Sequence, residues 1–73
     1  MKTFQTKRYF TDDDLVVVYR NDKLYAKGFF DQVFDGSILE KDFFDEQFYW
    51  DPRAHAWQAT TMREDWTMYV LDI

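Results

Sequence analysis

Ten residues in the middle of the chain, DFFDEQFYWD (42–51), combine four carboxylates with five aromatic rings and contain no lysine or arginine. In a helix, Asp42, Asp45 and Glu46 are spaced i, i+3 and i+4, so their side chains share one face. Hard cations prefer such oxygen ligands, but neither a histidine partner nor a second carboxylate-bearing helix accompanies them. We therefore interpret these acids as a solvated face and predict no metal site.

Residues that could support catalysis are scarce. Ser37 is the only serine, His55 is the only histidine, and the chain has no cysteine. Nucleophilic hydrolysis needs a serine or cysteine beside a histidine that a carboxylate orients. We expect Ser37 in a turn or cap and His55 in a hairpin loop, and two glycines cannot form a phosphate-binding loop. The sequence therefore predicts neither an enzyme nor a cofactor.

Negative charge is concentrated in the middle third of a chain whose net charge is −5. Residues 31–51 contain seven acids and one base, residues 1–30 contain six bases and four acids, and residues 52–73 are nearly balanced. Because clustered lysine and arginine supply affinity for phosphates, this distribution argues against generic binding to nucleic acid or to anionic membranes.

Length and composition predict a single globular domain, 1–73, whose core is built from rings. A domain this short buries only about 60% of the surface that its unfolded chain exposes, so bulky side chains must compensate. Phe, Tyr and Trp make up 22% of the residues. MKTFQTKRYF lacks the apolar run of a signal peptide, and no stretch approaches the length of a membrane span. We therefore expect a cytoplasmic protein.

Two apolar runs in the first half predict a β-hairpin, LVVVYR (15–20) and KLYAKGFF (23–30), which are separated by an Asn-Asp step. Residues 2–10 alternate weakly and predict a further strand. At the other end of the chain, WTMYVLDI (66–73) alternates clearly and predicts the final strand.

The segment before the aromatic run allows two interpretations. Asp35-Gly36 is a hairpin signal. Ser37 followed three residues later by Glu40 instead matches a capping box, which would begin a helix. We favour a short helix near 38–46.

Trp50-Asp51-Pro52, with Trp57 five residues beyond the proline, resembles the turn of a kelch-repeat hairpin. The resemblance covers nine residues and occurs once. A propeller needs several blades of about 50 residues each, so the resemblance implies a turn and neither that fold nor a function. Pro52 would set the turn, Asp51 would cap it, and the two Trp rings would meet across the strands.

These elements predict an α+β fold that is predominantly antiparallel β. We expect five or six short strands in a small sheet or partly open barrel, with 47–50 and 56–61 as paired strands. At most one short helix, near 38–46, accompanies them.

The acidic, ring-rich segment also predicts a function. Its five rings cannot all face one way from a helix or a strand, so some ring should remain near the surface. Exposed Tyr and Trp are favoured contact anchors, and surrounding carboxylates steer a basic partner. We predict a non-enzymatic protein-binding module, in the manner of a small acidic inhibitor of phage or immunity type. Its partner would be a larger intracellular protein with a basic surface, such as a nucleic-acid enzyme. The predicted partner-binding residues are Asp31, Asp35, Glu40, Asp42, Asp45, Glu46, Tyr49, Trp50 and Asp51.

Two alternatives remain open. Surplus rings and open sheet edges would also suit a self-associating structural β domain. Less favoured is direct nucleic-acid binding by the basic N-terminal strands. That alternative requires the following residues to gather on one sheet face: Lys7, Arg8, Arg20, Lys23 and Lys27 with Tyr9, Tyr19 and Tyr25.

Overall fold

The structure is a computed structural model that describes residues 6–71. Its elements in chain order are β1 (Leu15–Arg20), β2 (Lys23–Phe29), α1 (Phe30–Val33), α2 (Lys41–Gln47), β3 (Tyr49–Asp51), β4 (Ala56–Thr60) and β5 (Asp65–Val70). The five strands form one open antiparallel sheet in the order β2-β1-β5-β4-β3. This arrangement confirms the predicted fold class, to which α1 adds a single helical turn that the sequence did not indicate.

The β1–β2 hairpin closes through a two-residue turn. Arg20 pairs with Lys23, and the intervening Asn21 and Asp22 have left-handed φ values of 50° and 65°. Positive φ at both central residues is the requirement of a type I′ turn, whose twist matches that of the flanking strands. Asn21 also joins the turn to β5, because its Oδ1 accepts the Asp65 N–H at 2.9 Å.

One face of the sheet, the core face, is covered by the helices. Strand alternation places Val16 and Val18 of β1 opposite Val70 and Met68 of β5 on this face. The segment between β2 and β3 packs four buried rings against them: Phe30, Phe34, Phe44 and Phe48. A core of this kind agrees with the ring-built interior that the composition predicts.

The opposite face, which we call the outer face, carries the alternate residues of each strand. One cross-strand row on it runs through Leu24, Tyr19, Thr67, Gln58 and Tyr49. Beside this row lies a second, in which Val17 is paired with both Lys27 and Tyr69.

Helix α2 begins three residues later than the predicted helix, and the predicted capping box is wrong. Its N-cap is Glu40, which makes no side-chain cap hydrogen bond. Ser37 instead donates its backbone N–H and its hydroxyl to Oδ1 of Asp35. A carboxylate two residues earlier is a strong local acceptor, and Gly36 supplies the left-handed φ of 93° within this loop.

The predicted N-terminal strand, 2–10, lies partly outside the described residues. Within them, Thr6 forms an isolated bridge with Leu71, and the Lys7 N–H donates to the Val70 carbonyl at 3.2 Å. Phe10 then packs onto the core. The predicted final strand, 66–73, is confirmed over 66–70 by β5, which begins one residue earlier, while positions 72 and 73 also lie outside the described residues.

Candidate functional site

Residues 30–48, which we call the helical layer, hold the negative charge of the molecule. This segment contains six acids and one base, for a charge of −5, whereas the remainder of the chain has eight acids and eight bases. The structure exposes all six carboxylates: Asp31, Asp35, Glu40, Asp42, Asp45 and Glu46. The exposed residues of the helical layer therefore carry the excess of negative charge.

The helical period explains why the acids of α2 face outward. Phe44 is buried and stacks on the buried Phe48, with ring centroids 5.2 Å apart. Because these rings fix one side of the helix against the sheet, Asp42, Asp45 and Glu46 are left on the exposed side.

The loop before α2 adds an ordered carboxylate and an apolar side chain. Hydrogen bonds from the Ser37 hydroxyl, and then from its backbone N–H, hold the pKa of Asp35 below its ordinary value. The same hydrogen bonds favour the ionised form of the carboxylate and orient it within the loop. Between Asp35 and Glu40, Ile38 is 50% exposed. Ile38 was not among the predicted partner-binding residues; its position within a polar turn, outside any periodic apolar pattern, is the sequence signal for its exposure.

The carboxylates are spread rather than convergent. Across residues 6–71, no three His, Cys, Asp or Glu side chains are placed so that they could hold a metal ion. An extended array of separate charges suits contact with several cationic side chains better than chelation of one small ion.

The two predicted aromatic anchors lie on different faces. Trp50 is half-buried on the core face, where its ring meets Trp57 at 5.8 Å. Tyr49 pairs with Gln58 on the outer face and is 53% exposed. The structure therefore leaves a ring of this segment exposed but does not bring Tyr49 together with the acids of the helical layer.

Asp51, the last of the predicted partner-binding residues, has a local role. Its Oδ1 accepts the backbone N–H groups of Arg53 at 2.9 Å and Ala54 at 3.4 Å. The predicted turn is thus capped as expected, and the carboxylate that caps it lies on β3 rather than in the helical layer.

The basic strand residues do not share a face. Lys27 and Tyr19 lie on the outer face, whereas the Arg20 guanidinium lies over the rings of Tyr25 at 5.6 Å and Trp66 at 5.9 Å. Arg20 also pairs with a carboxylate, that of Glu64, at 2.9 Å. The single basic face required for direct nucleic-acid binding is not formed by these strands.

Neither helix of the described part of the chain is long and apolar enough to cross a membrane. No protein-family model matches the chain, and no curated protein or solved structure matches it either. Fold and charge distribution thus define a small antiparallel-sheet domain that carries an acidic helical layer.

Proposed function

We propose that this protein is a non-enzymatic binding module whose helical layer engages a basic surface of a larger protein. The observation that carries the proposal is the exposure of all six carboxylates on the layer that accounts for the chain's net charge. Among residues 6–71 the ion pairs are Lys7–Asp14 and Arg20–Glu64, so the helical-layer acids have no cationic partner there.

A surface of one charge sign accelerates encounter with an oppositely charged surface and disfavours like-charged competitors. Complementary charge raises the association rate more than the affinity. An apolar side chain that becomes buried in the interface supplies affinity. Ile38 fills that role in the helical layer, because it is half-exposed beside Asp35 and Glu40.

We further propose that the partner is an intracellular enzyme that handles nucleic acid and that the module inhibits it. A groove that binds a phosphate backbone presents a row of lysine and arginine side chains. Carboxylates that are spread over a surface, rather than gathered at one point, can occupy such a row in place of phosphates.

Charge reversal within α2 tests the proposal. The double variant Asp42→Lys with Asp45→Lys changes the net charge by +4 at exposed positions, so the fold should be preserved. Asp22→Lys with Asp65→Lys is the matched control, since it makes the same change at two exposed positions beside the β1–β2 turn, outside the helical layer. Partners recovered from the native host would be purified and their Kd measured by calorimetry at low and moderate salt. We expect the α2 variant to bind at least about tenfold more weakly and the control to stay within about threefold.

Two results would overturn the proposal. Equal weakening by both variants would mean that total charge matters and the helical layer does not. Unchanged binding by the α2 variant would place the interface elsewhere.

Self-association is the second candidate, and a specific observation favours it. The outer face exposes Leu24 by 62% and Phe29 by 43%, besides Tyr49. Two such faces could pack together and bury these side chains. Sedimentation at increasing protein concentration separates the candidates, because a concentration-independent monomer excludes self-association in that range.

A further inference from the structure

The outer face contains a cleft that the proposed function does not use. It has a volume of about 300 Å³ and is lined by Tyr19, Asp22, Thr67 and Tyr69. Its origin lies in side-chain size. Thr67 is short, whereas its cross-strand partner Tyr19 and its same-face neighbour Tyr69 are long, so the two rings form walls above it.

The two rings stand almost perpendicular to each other. Tyr19 and Tyr69 have centroids 5.8 Å apart and planes at 87°. A cation attracted by a ring lies within about 6 Å of its centroid. In the corner between two perpendicular walls, a single cation can contact both rings at that distance.

A carboxylate closes one end of this corner. Asp22 is held there by the type I′ turn, in which its φ is 65°. Neither ion pair within residues 6–71 involves Asp22. The cation–π contacts within residues 6–71 involve the rings of Tyr9, Tyr25 and Trp66. Within that range, no arginine or lysine side chain lies over the ring of Tyr19 or Tyr69.

Lys27 is the base on the outer-face rows beside the cleft. Lys27, Val17 and Tyr69 form one cross-strand row, in which Val17 lies between the other two residues. Arg20 and Lys23, which flank the turn, are paired with each other in the row next to Tyr19, and Arg20 also pairs with Glu64 at 2.9 Å. Asp22 is the charged residue among those that line the cleft.

We propose that this cleft binds an organic cation with a methylated ammonium head group. Such a head group places apolar methyl groups against both rings and a diffuse positive charge near the carboxylate. A compact metal ion would retain its water here, because a single carboxylate is too few ligands. The site goes beyond the proposed function and lies on the opposite side of the sheet from the helical layer.

Choline and its neutral isostere 3,3-dimethylbutan-1-ol provide the test, because they share shape and differ in charge. Each would be titrated into the protein while amide and tyrosine-ring NMR signals are followed. We expect choline to shift the signals of Tyr19, Thr67 and Tyr69 with a Kd of about 1–10 mM, and the isostere to bind at least about fivefold more weakly.

Substitutions locate the site. Tyr19→Leu should weaken choline binding at least about fivefold and Asp22→Asn about threefold. Tyr49→Leu is the matched control, since it removes an exposed tyrosine from the same face outside the cleft, and it should leave the Kd unchanged. The NMR spectra report the folding of each variant directly.

Equal binding of choline and the alcohol would overturn the proposal, because it would indicate simple apolar contact. So would choline shifts that cluster away from the cleft, or Asp22→Asn binding choline as tightly as the natural chain. If Tyr19→Leu failed to fold, the exposed Asp22→Asn variant and the comparison of the two ligands would still decide the matter.

Discussion

Trp50 and Trp57 are direct cross-strand partners in the β3–β4 ladder, with ring centroids 5.8 Å apart and planes at 66°. Their surroundings differ. Trp57 also meets Phe10 at 5.9 Å and Phe44 at 5.3 Å, and its Nε1–H donates to the Arg8 carbonyl at 3.1 Å. Trp57 therefore joins the N-terminal segment, the helical layer and the hairpin, whereas Trp50 extends the pair toward the sheet edge.

This asymmetry predicts unequal costs of truncation. Trp57→Ala should lower the free energy of unfolding by about 3–5 kcal/mol, because it removes a ring with partners on three elements. Trp50→Ala should cost about 1–2 kcal/mol, since it loses mainly one ring pair and partial burial. A domain of this size has a total stability of about 4–11 kcal/mol. Urea unfolding followed by circular dichroism measures both values, and similar losses would contradict the tertiary role of Trp57.

Phe44 and Phe29 provide a second contrast between rings. Phe44 is the centre of the aromatic core, with ring contacts to Phe10, Phe30, Phe34, Phe48 and Trp57. Phe29 is 43% exposed on the outer face. We expect Phe44→Ala to cost about 3–5 kcal/mol of unfolding free energy and Phe29→Ala about 1 kcal/mol or less. A larger loss at Phe29, measured by the same urea titration, would indicate that the outer face is packed in solution.

Local patterns were sufficient to predict both hairpins and the strand-rich fold class. In each hairpin the turn residues carry their own signal: Asn21 and Asp22 tolerate left-handed φ, and Asp51 beside Pro52 caps a turn by itself. The helical period also accounts for the burial of Phe44 and the exposure of the neighbouring acids in α2.

Features that depend on competition or on distant pairing could not be predicted in the same way. The backbone N–H of Ser37 had two candidate acceptors, the carboxylate of Asp35 and that of Glu40 in the predicted capping box. Only the fold shows that Asp35 accepts it. The adjacency of β1 and β5 joins residues some fifty positions apart, as in the Val16–Val70 pair. For the same reason, no local pattern indicates the Tyr19–Tyr69 cleft.

Asp14 predicts how stability depends on pH. Its carboxylate accepts the Thr11 backbone N–H at 2.8 Å and pairs with Lys7 at 3.1 Å, and these contacts, in that order, hold its pKa below the usual 3.8. A depressed folded pKa stabilises the protein above the unfolded pKa of about 3.9, and that stabilisation is lost as the pH falls through the folded pKa.

Asp14→Asn should therefore be less stable than the natural chain at pH 7 and should lose less stability on acidification below about pH 4. Urea titrations between pH 2 and pH 7 measure the difference. Asp13→Asn, which removes a neighbouring carboxylate that does not bond to Thr11, is the control and should follow the natural chain. Parallel acid curves for the Asp14→Asn variant and the natural chain would show that the contact does not favour the ionised carboxylate.

Asp22 links the stability of the hairpin to the proposed cation site, and a single substitution separates the two. Its φ of 65° is one that glycine adopts without a steric penalty, and Asn-Gly is the preferred type I′ sequence. Asp22→Gly should therefore raise the free energy of unfolding by about 0.5–1 kcal/mol. The same change removes the carboxylate from the cleft, so choline should bind about threefold more weakly to a more stable protein. Paired urea and NMR titrations test both effects on one sample. Lower stability would mean that the Asp22 side chain supports the turn, and unchanged choline affinity would mean that its charge does not act on the ligand.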